Sequence, residues 1–285
     1  MSVKSLFASS FIAVASVNGG LAIWQLTQGA SVLPWSGVLL ANLPIAFMMS
    51  FWMLLKSVSR TSENMPALTA LSVAGVVAAG LPLAGIGGTF DALPLALAVV
   101  GAVGLLLYVR WYSVFGRTPS SSLQVGKTLP SFVLEDAKGN EVSSDDFRGA
   151  PTVMLFYRGN WCPLCMAQIK EVAGLYRELD KRGAKVRLVS PQPHDNTQSL
   201  ADRFDVPFDF LVDPGNRVAS QLEIISPDGI PMGMTALGYE HDTVMPTVVI
   251  TDAQGVILFC DQTDNYRVRP EPDVFLKVLD GHAPA

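Results

Sequence analysis

The sequence predicts an all-α transmembrane bundle of about four helices, followed by an α/β domain with a central mixed sheet flanked by helices. Three observations predict it. The chain has 20 basic and 25 acidic side chains in 285 residues, yet only six of them (Lys4, Lys56, Arg60, Glu63, Asp91, Arg110) fall in residues 1–116. Within that part, four stretches are long and apolar enough to cross a bilayer. From residue 128 onward, short β-branched runs alternate with helical patterns, which is the signature of an α/β sheet. Formal charge divides the same way, +2 before residue 117 and −7 after it. An acidic domain excludes nucleic acid as its partner, because phosphate binding needs a basic surface.

The predicted spans cover about 6–27, 37–57, 67–88 and 91–115. The first is the least apolar, with Asn18, Gly19, Gly20 and Gln25 in its middle and end. Three further spans follow it, which favours a retained helix over a cleaved signal peptide. Lys4, Lys56, Arg60, Arg110, Arg117 and Lys127 fall on one side of such a four-span bundle, and the loops near 28–36 and 89–91 have no Lys or Arg. The positive-inside rule therefore predicts a multi-pass membrane protein whose amino terminus and α/β domain are both cytoplasmic. If the weak first span fails to insert, the domain could lie on the outer, periplasmic face of what we read as a bacterial inner membrane only by violating that charge rule. Gly75, Gly80, Gly85, Gly87, Gly88, Gly101 and Gly104 suit close helix packing in lipid. The spans contain no Cys and no His, so they read as an anchor or docking surface rather than a transport path.

Residues 117–127 read as a Ser- and Pro-rich linker, and 128–285 as the α/β domain. A hairpin is predicted around Lys138-Gly139-Asn140, then the buried strand 152–157 and a helix over 162–182 ending at Gly183. Strand KVRLVS, a helix near 197–204, strand FDFLV, a short helix near 216–222, strands TVVIT and GVILFC, and the helix DVFLKVLD follow. The stretch 229–242 is long for a turn. It reads either as a substrate-facing loop exposing Met232 and Met234 or as a packed insertion.

The chemistry is concentrated in GNWCPLC, where Cys162 and Cys165 stand with Pro163 between them at the junction of a buried strand and a helix. The free N–H groups at a helix start stabilise a thiolate, so Cys162 is the predicted nucleophile and Cys165, one turn on, the resolving thiol. A zinc half-site is the competing reading, but His194, His241 and His282 are scattered and no second CxxC exists, so no metal is assigned. No cofactor is required. Arg158 can lower a cysteine pKa or be a solvated or structural arginine, and Trp161 can shape the substrate face or simply pack. Cys260, closing a strand, reads most simply as a buried structural thiol.

Residues 128–280 resemble the peroxiredoxin-like (AhpC/TSA, redoxin) branch of the thioredoxin superfamily. The resemblance is carried by DDFRGAPTVMLFYRGNWCPLCMAQIKEV, LVSPQP, LVDPGNRVA and YRVRPEPDVFLKVL. It implies a thioredoxin-like fold. It also implies that Met245-Pro246-Thr247 lies beside the CxxC sulfurs with a cis peptide before Pro246, presenting backbone groups to substrate. Ungapped comparison with the family's P-x-x-x-T-x-x-C motif puts Arg158 at the proline, Cys162 at the threonine and Cys165 at the peroxidatic cysteine. The family's peroxide-polarising arginine falls at Pro246. Where thioredoxin has a buried acid, this chain has Phe156, so proton transfer during resolution needs another group. Tyr266, Arg267 and Arg269 match the related segment without an assignable role.

The leading expectation is a membrane-anchored thiol–disulfide oxidoreductase using the CxxC pair. The alternatives are a thiol peroxidase reducing hydroperoxides and a redox-sensing or docking subunit of a membrane complex. The implied partners are a protein disulfide or hydroperoxide, a thioredoxin-like or low-molecular-weight thiol reductant, the lipid bilayer and a possible membrane partner protein. In a reducing cytosol such a pair rests as a dithiol.

Overall fold

The computed structural model describes residues 3–55, 58, 61–231 and 233–281. Lys56 and Arg60 of the orientation argument, Met232 and His282 lie outside them. The chain divides into a helical unit, Val3–Val114, and a second unit that begins at Phe115.

The helical unit contains α1 (Val3–Thr27), α2 (Val32–Leu55), α3 (Pro66–Gly80) and α4 (Ala92–Leu107). A 3-10 turn, Leu81–Ala84, extends α3, and a π-helical turn, Tyr108–Tyr112, extends α4. All four are long and apolar enough to cross a membrane. The third helical run stops at Ala84 rather than 88. Gly85, Gly87 and Gly88 take positive φ in the turn that follows, a conformation without steric cost for glycine, so they end the span instead of packing within it.

Close packing is visible where the helices have small residues. A Cβ added to Gly37 would come within 2.4 Å of the Gly75 carbonyl oxygen, and one added to Gly75 within 2.5 Å of that of Gly37. The backbones of α2 and α3 therefore touch, with Ala41 and Ala79 one turn further along. The polar residue that weakened the first predicted span is satisfied internally. Asn18 Nδ2 donates to Asn42 Oδ1 at 3.1 Å, and Asn42 Nδ2 donates to the Val38 and Leu97 carbonyls at 3.0 and 3.2 Å. Asn42 thus links α1, α2 and α4, against Gly101, where a side chain would collide with its amide.

The second unit is built on a seven-stranded mixed sheet. Its elements are β1 (Val133–Asp136), β2 (Glu141–Ser143), β3 (Thr152–Phe156), α5 (Pro163–Gly174), α6 (Tyr176–Lys181), β4 (Lys185–Ser190), α7 (His194–Ala201) and β5 (Asp209–Val212), followed by α8 (Arg217–Gln221), β6 (Ile225–Ser226), β7 (Thr243–Val244), β8 (Thr247–Thr251), β9 (Ile257–Asp261) and α9 (Pro272–Leu279). The strand order is β2-β1-β5-β4-β3-β8-β9. β3 pairs parallel with β4 and β4 with β5; β8 runs antiparallel to β3, and β9 to β8. This is the predicted thioredoxin-like arrangement. β3 and β8 are buried along their whole length, as expected of continuous apolar runs at the sheet centre.

Three details differ from the sequence expectations. The helix predicted over 162–182 is broken at Leu175 (φ −96°, ψ 7°), directly after the helix-weakening Gly174, giving α5 and α6. The segment expected to be a linker is stitched to the domain. Leu123 is buried in the core with Phe132, Leu134 and Val249, Ser120 N donates to Gln262 Oε1 at 2.7 Å, and Gly126 N donates to Ile257 O at 2.8 Å. Apolar Leu123 and three serines able to cap turns explain why this stretch folds onto the sheet.

Finally, the Met245–Pro246 peptide is trans, as is every peptide bond among the described residues, so the expected cis bond is corrected. The resemblance was its only ground. The trans isomer is the lower-energy default, and here the chain passes directly from β7 into β8, with Thr247 Oγ1 donating to Met245 O at 2.9 Å.

Candidate active site

The site is assembled at one end of the sheet. β3 ends at Phe156, which is in register with Thr247 of β8, so the segment leading to the CxxC and the Met245-Pro246-Thr247 segment emerge side by side. Between β3 and α5 the chain must turn sharply. Gly159 permits this with φ +143°, and a Cβ there would lie 2.6 Å from Trp161 Nε1. Gln192, from the SPQP segment after β4, fixes the turn from below. Its Oε1 accepts from Asn160 N at 2.8 Å, and its Nε2 donates to Tyr157 Oη at 3.0 Å and Thr197 Oγ1 at 3.1 Å.

Cys162 is the N-cap of α5, with Pro163 in the first turn, where a missing N–H costs nothing. Both sulfurs belong to reduced, buried residues, Cys162 being 2% and Cys165 1% exposed. The pair shares one hydrogen bond. Acceptance of the Cys165 thiol lowers the pKa of Cys162 to about 6 against the opposing effect of burial, with the charges of Arg158 and then Arg269 assisting. Cys165 is pushed the other way, first by that hydrogen bond and then by burial and the Cys162 charge; Arg269 opposes the rise. This asymmetry is what a nucleophile and its waiting partner need.

The arginines come from distant parts of the chain. Arg158 is 6% exposed; its guanidinium stacks 4.8 Å from the Trp161 ring centroid and 5.7 Å from that of Tyr266, and it donates to the Gly229 carbonyl. It is therefore a buried, stacked arginine rather than a solvated one. Arg269 places Nη2 3.9 Å from Cys165 Sγ.

The stretch 227–242 hangs from the β6–β7 ladder, closed at its base by Ile230 N donating to His241 O at 3.1 Å. Its tip exposes Leu237, while Tyr239 turns back to donate to Asn160 Oδ1 and meets Trp161 edge-on at 6.5 Å. The loop packs against the motif and is exposed at its tip, but Met234, expected to be exposed, is half-buried.

Of the sequence-predicted residues, Cys162, Cys165, Trp161, Pro163 and Arg158 come together. Met245, Pro246 and Thr247 lie at the same sheet end but are buried. The Pro246 carbonyl, expected to face substrate, accepts from Arg117 Nη1 at 3.2 Å, while Arg117 Nη2 donates to Thr247 Oγ1 at 3.1 Å. Cys260 sits half-buried on β9 with its thiol pushed up to about 11, chiefly by burial, in keeping with a structural thiol. Sequence reasoning missed Arg269, Gln192 and Tyr239. Their motifs were visible, but nothing in the spacing said which side chains would turn toward the sulfurs.

The AhpC/TSA family model matches residues 125–259. The chain is 28% identical over 129 residues to the thiol-disulfide oxidoreductase ResA of Geobacillus kaustophilus, covering 45% of this chain and 71% of that one. It is 33% identical over 113 residues to the chloroplastic peroxiredoxin Q of Sedum lineare (40% and 58%) and 26% identical over 136 residues to a putative peroxiredoxin bcp of Coxiella burnetii (48% and 86%). All three relationships fall short of half this chain. The family match covers β1 to β8, part of β9 and the CxxC turn described above, and over these residues the chain is similar to the AhpC/TSA family.

Proposed function

We propose that the protein is a membrane-anchored thiol–disulfide oxidoreductase of the redoxin type that cycles Cys162 and Cys165 between dithiol and disulfide. Kinship to thiol-disulfide oxidoreductases and peroxiredoxins makes it a thiol-dependent oxidoreductase. The single observation that supports the dithiol reading is the position of Cys162, an N-cap thiol that accepts a hydrogen bond from Cys165 with Arg158 close by. The Cys162 thiolate attacks a substrate disulfide, expelling one thiolate and forming a mixed disulfide. Cys165 then attacks Cys162, releases the second thiol and closes the internal disulfide. A thioredoxin-like protein or a low-molecular-weight thiol restores the dithiol. The test is Cys162→Ser, which should abolish turnover; full activity in that variant rejects the assignment.

A second reading, reduction of hydroperoxides, is favoured by the near-complete burial of both sulfurs, which admits a small oxidant more readily than a folded partner. The thiolate would attack one peroxide oxygen, the O–O bond breaking to release an alcohol or water and leave a sulfenic acid, and the other cysteine would condense with it, releasing water. Stopped-flow oxidation by hydrogen peroxide, an alkyl hydroperoxide and a protein disulfide separates the two. Saturating, rapid peroxide consumption with slow disulfide reduction would reverse the ranking.

The helical unit supports a multi-pass membrane location, and the placement of Lys4, Arg110, Arg117 and Lys127 supports a cytoplasmic domain. A reporter fused to the carboxyl terminus tests it: activity of a periplasm-dependent reporter would put the domain outside.

A further inference from the structure

Resolution requires Cys165 to become a thiolate inside the protein, and the position that carries an acid in thioredoxin is here the apolar, 3% exposed Phe156. The groups that face Cys165 are Cys162, Arg158, Tyr157 and Arg269. Burial pushes the Tyr157 hydroxyl far up, so it stays neutral and is no base. The Arg158 backbone N–H donates to Cys165, while its guanidinium is engaged elsewhere, stacked on Trp161 and Tyr266 and bonded to Gly229 O. Arg269 has Nη2 within 3.9 Å of the Cys165 sulfur.

We propose that Arg269 is the catalytic group of the resolution step, holding the Cys165 thiolate while it attacks the mixed disulfide on Cys162. This rests on the reading that Cys162 attacks first. In the resting dithiol, Cys165 donates its proton toward Cys162, whose charge keeps that proton in place. Once Cys162 is bonded to substrate sulfur it carries no charge and accepts no such bond, so two of the three influences that hold Cys165 protonated disappear together. Burial remains against the guanidinium of Arg269, helped by the Arg158 backbone N–H, which a side-chain substitution at Arg269 leaves in place. Cys165 then gives up its proton, its sulfur bonds to Cys162 Sγ, the bond from Cys162 to substrate breaks, and the departing thiolate takes up the proton that Cys165 lost. The enzyme pair is oxidised by two electrons and the substrate disulfide is reduced to two thiols. Arg269 thus acts late, and the charge it stabilises moves from one sulfur to the other as the reaction proceeds.

The full-length protein in detergent, carrying Cys260→Ser to remove the third thiol, can be mixed with the neutral reagent 4,4′-dithiodipyridine, which releases one pyridinethione when Cys162 attacks and a second when Cys165 resolves. Arg269→Met should leave the first release within about threefold of the unmodified protein and slow the second by about tenfold or more at neutral pH, with the pH profile of that second release displaced upward. Arg269→Lys, which keeps the charge, should recover part of the loss. An unchanged second release in Arg269→Met, or slowing of both releases by one common factor in both variants, would overturn the proposal. Cys165→Ser should release only one pyridinethione. A normal first release from Cys162→Ser would instead remove the nucleophile assignment, and this role with it, a result that no Arg269 variant can mimic.

Discussion

Cys162 owes its character to its neighbours more than to its own exposure, since burial alone would raise its pKa. A titration of the reduced protein followed by thiolate absorption should therefore show a midpoint near 6 that is lost in Cys162→Ser. The same shift has a stability consequence. Because the folded-state pKa lies below the ordinary value of 9, the unfolded chain binds more protons between about pH 6 and 9. The contribution of Cys162 to stability is full above 9 and is lost as pH falls through 6. Denaturant unfolding of the reduced protein should show it, and Cys162→Ser should flatten the slope. Gly159→Ala tests the turn: positive φ and the approach to Trp161 should together destabilise the reduced protein by about 1–3 kcal/mol and lower activity, measured by unfolding and turnover. Cys162 was legible in the sequence because an N-terminal helix position follows from strand-then-helix patterning. Arg269 was not, since 104 residues separate it from Cys165 and only the path of the chain after β9 brings it there.

Among the elements, the segment from Phe115 to Leu129 behaves as part of the sheet domain. It runs along the β9 side through bonds from Phe115 N to Asp264 O, Ser120 N to Gln262 Oε1 and Leu129 N to Gly255 O, and it buries Leu123 completely. Leu123→Ala should cost about 2–4 kcal/mol in unfolding experiments, as for a leucine in a close-packed core. A chain that starts at residue 128 should likewise be less stable than one that starts at 115, by thermal denaturation of the two fragments. Composition concealed this. Serine, proline and lysine outnumber the two leucines that carry the packing, so average polarity reads as a tether. Long runs with one period, such as β3, β8 and α9, were read correctly because burial on a sheet face or helix stripe writes itself into the local pattern. The break between α5 and α6 was missed because one glycine in an otherwise helical run only weakens it, and packing decides whether it bends.

Over the whole molecule, the sequence separates an apolar helical unit from a charged sheet domain, and the structure divides the chain at nearly the same place. Within the helical unit, Gly37 and Gly75 allow direct backbone contact, so Gly75→Leu should lower the melting temperature of the detergent-solubilised protein far more than Gly20→Leu, which meets open space. Asn42→Leu should remove the polar junction of α1, α2 and α4 and cost about 1 kcal/mol in the same measurement. The sequence by itself determined the class of each region, the order of nearly every element and the place of the CxxC pair at a strand–helix junction. These depend on hydrophobic length, period and local helix electrostatics, all of which are properties of contiguous residues. Only the tertiary structure decided that Arg158 stacks between two rings, that Arg117 occupies the Pro246 carbonyl, and that Arg269 reaches Cys165. Each of those outcomes is a short-range interaction between residues far apart in the chain, and spacing along a sequence carries no information about distance across a fold.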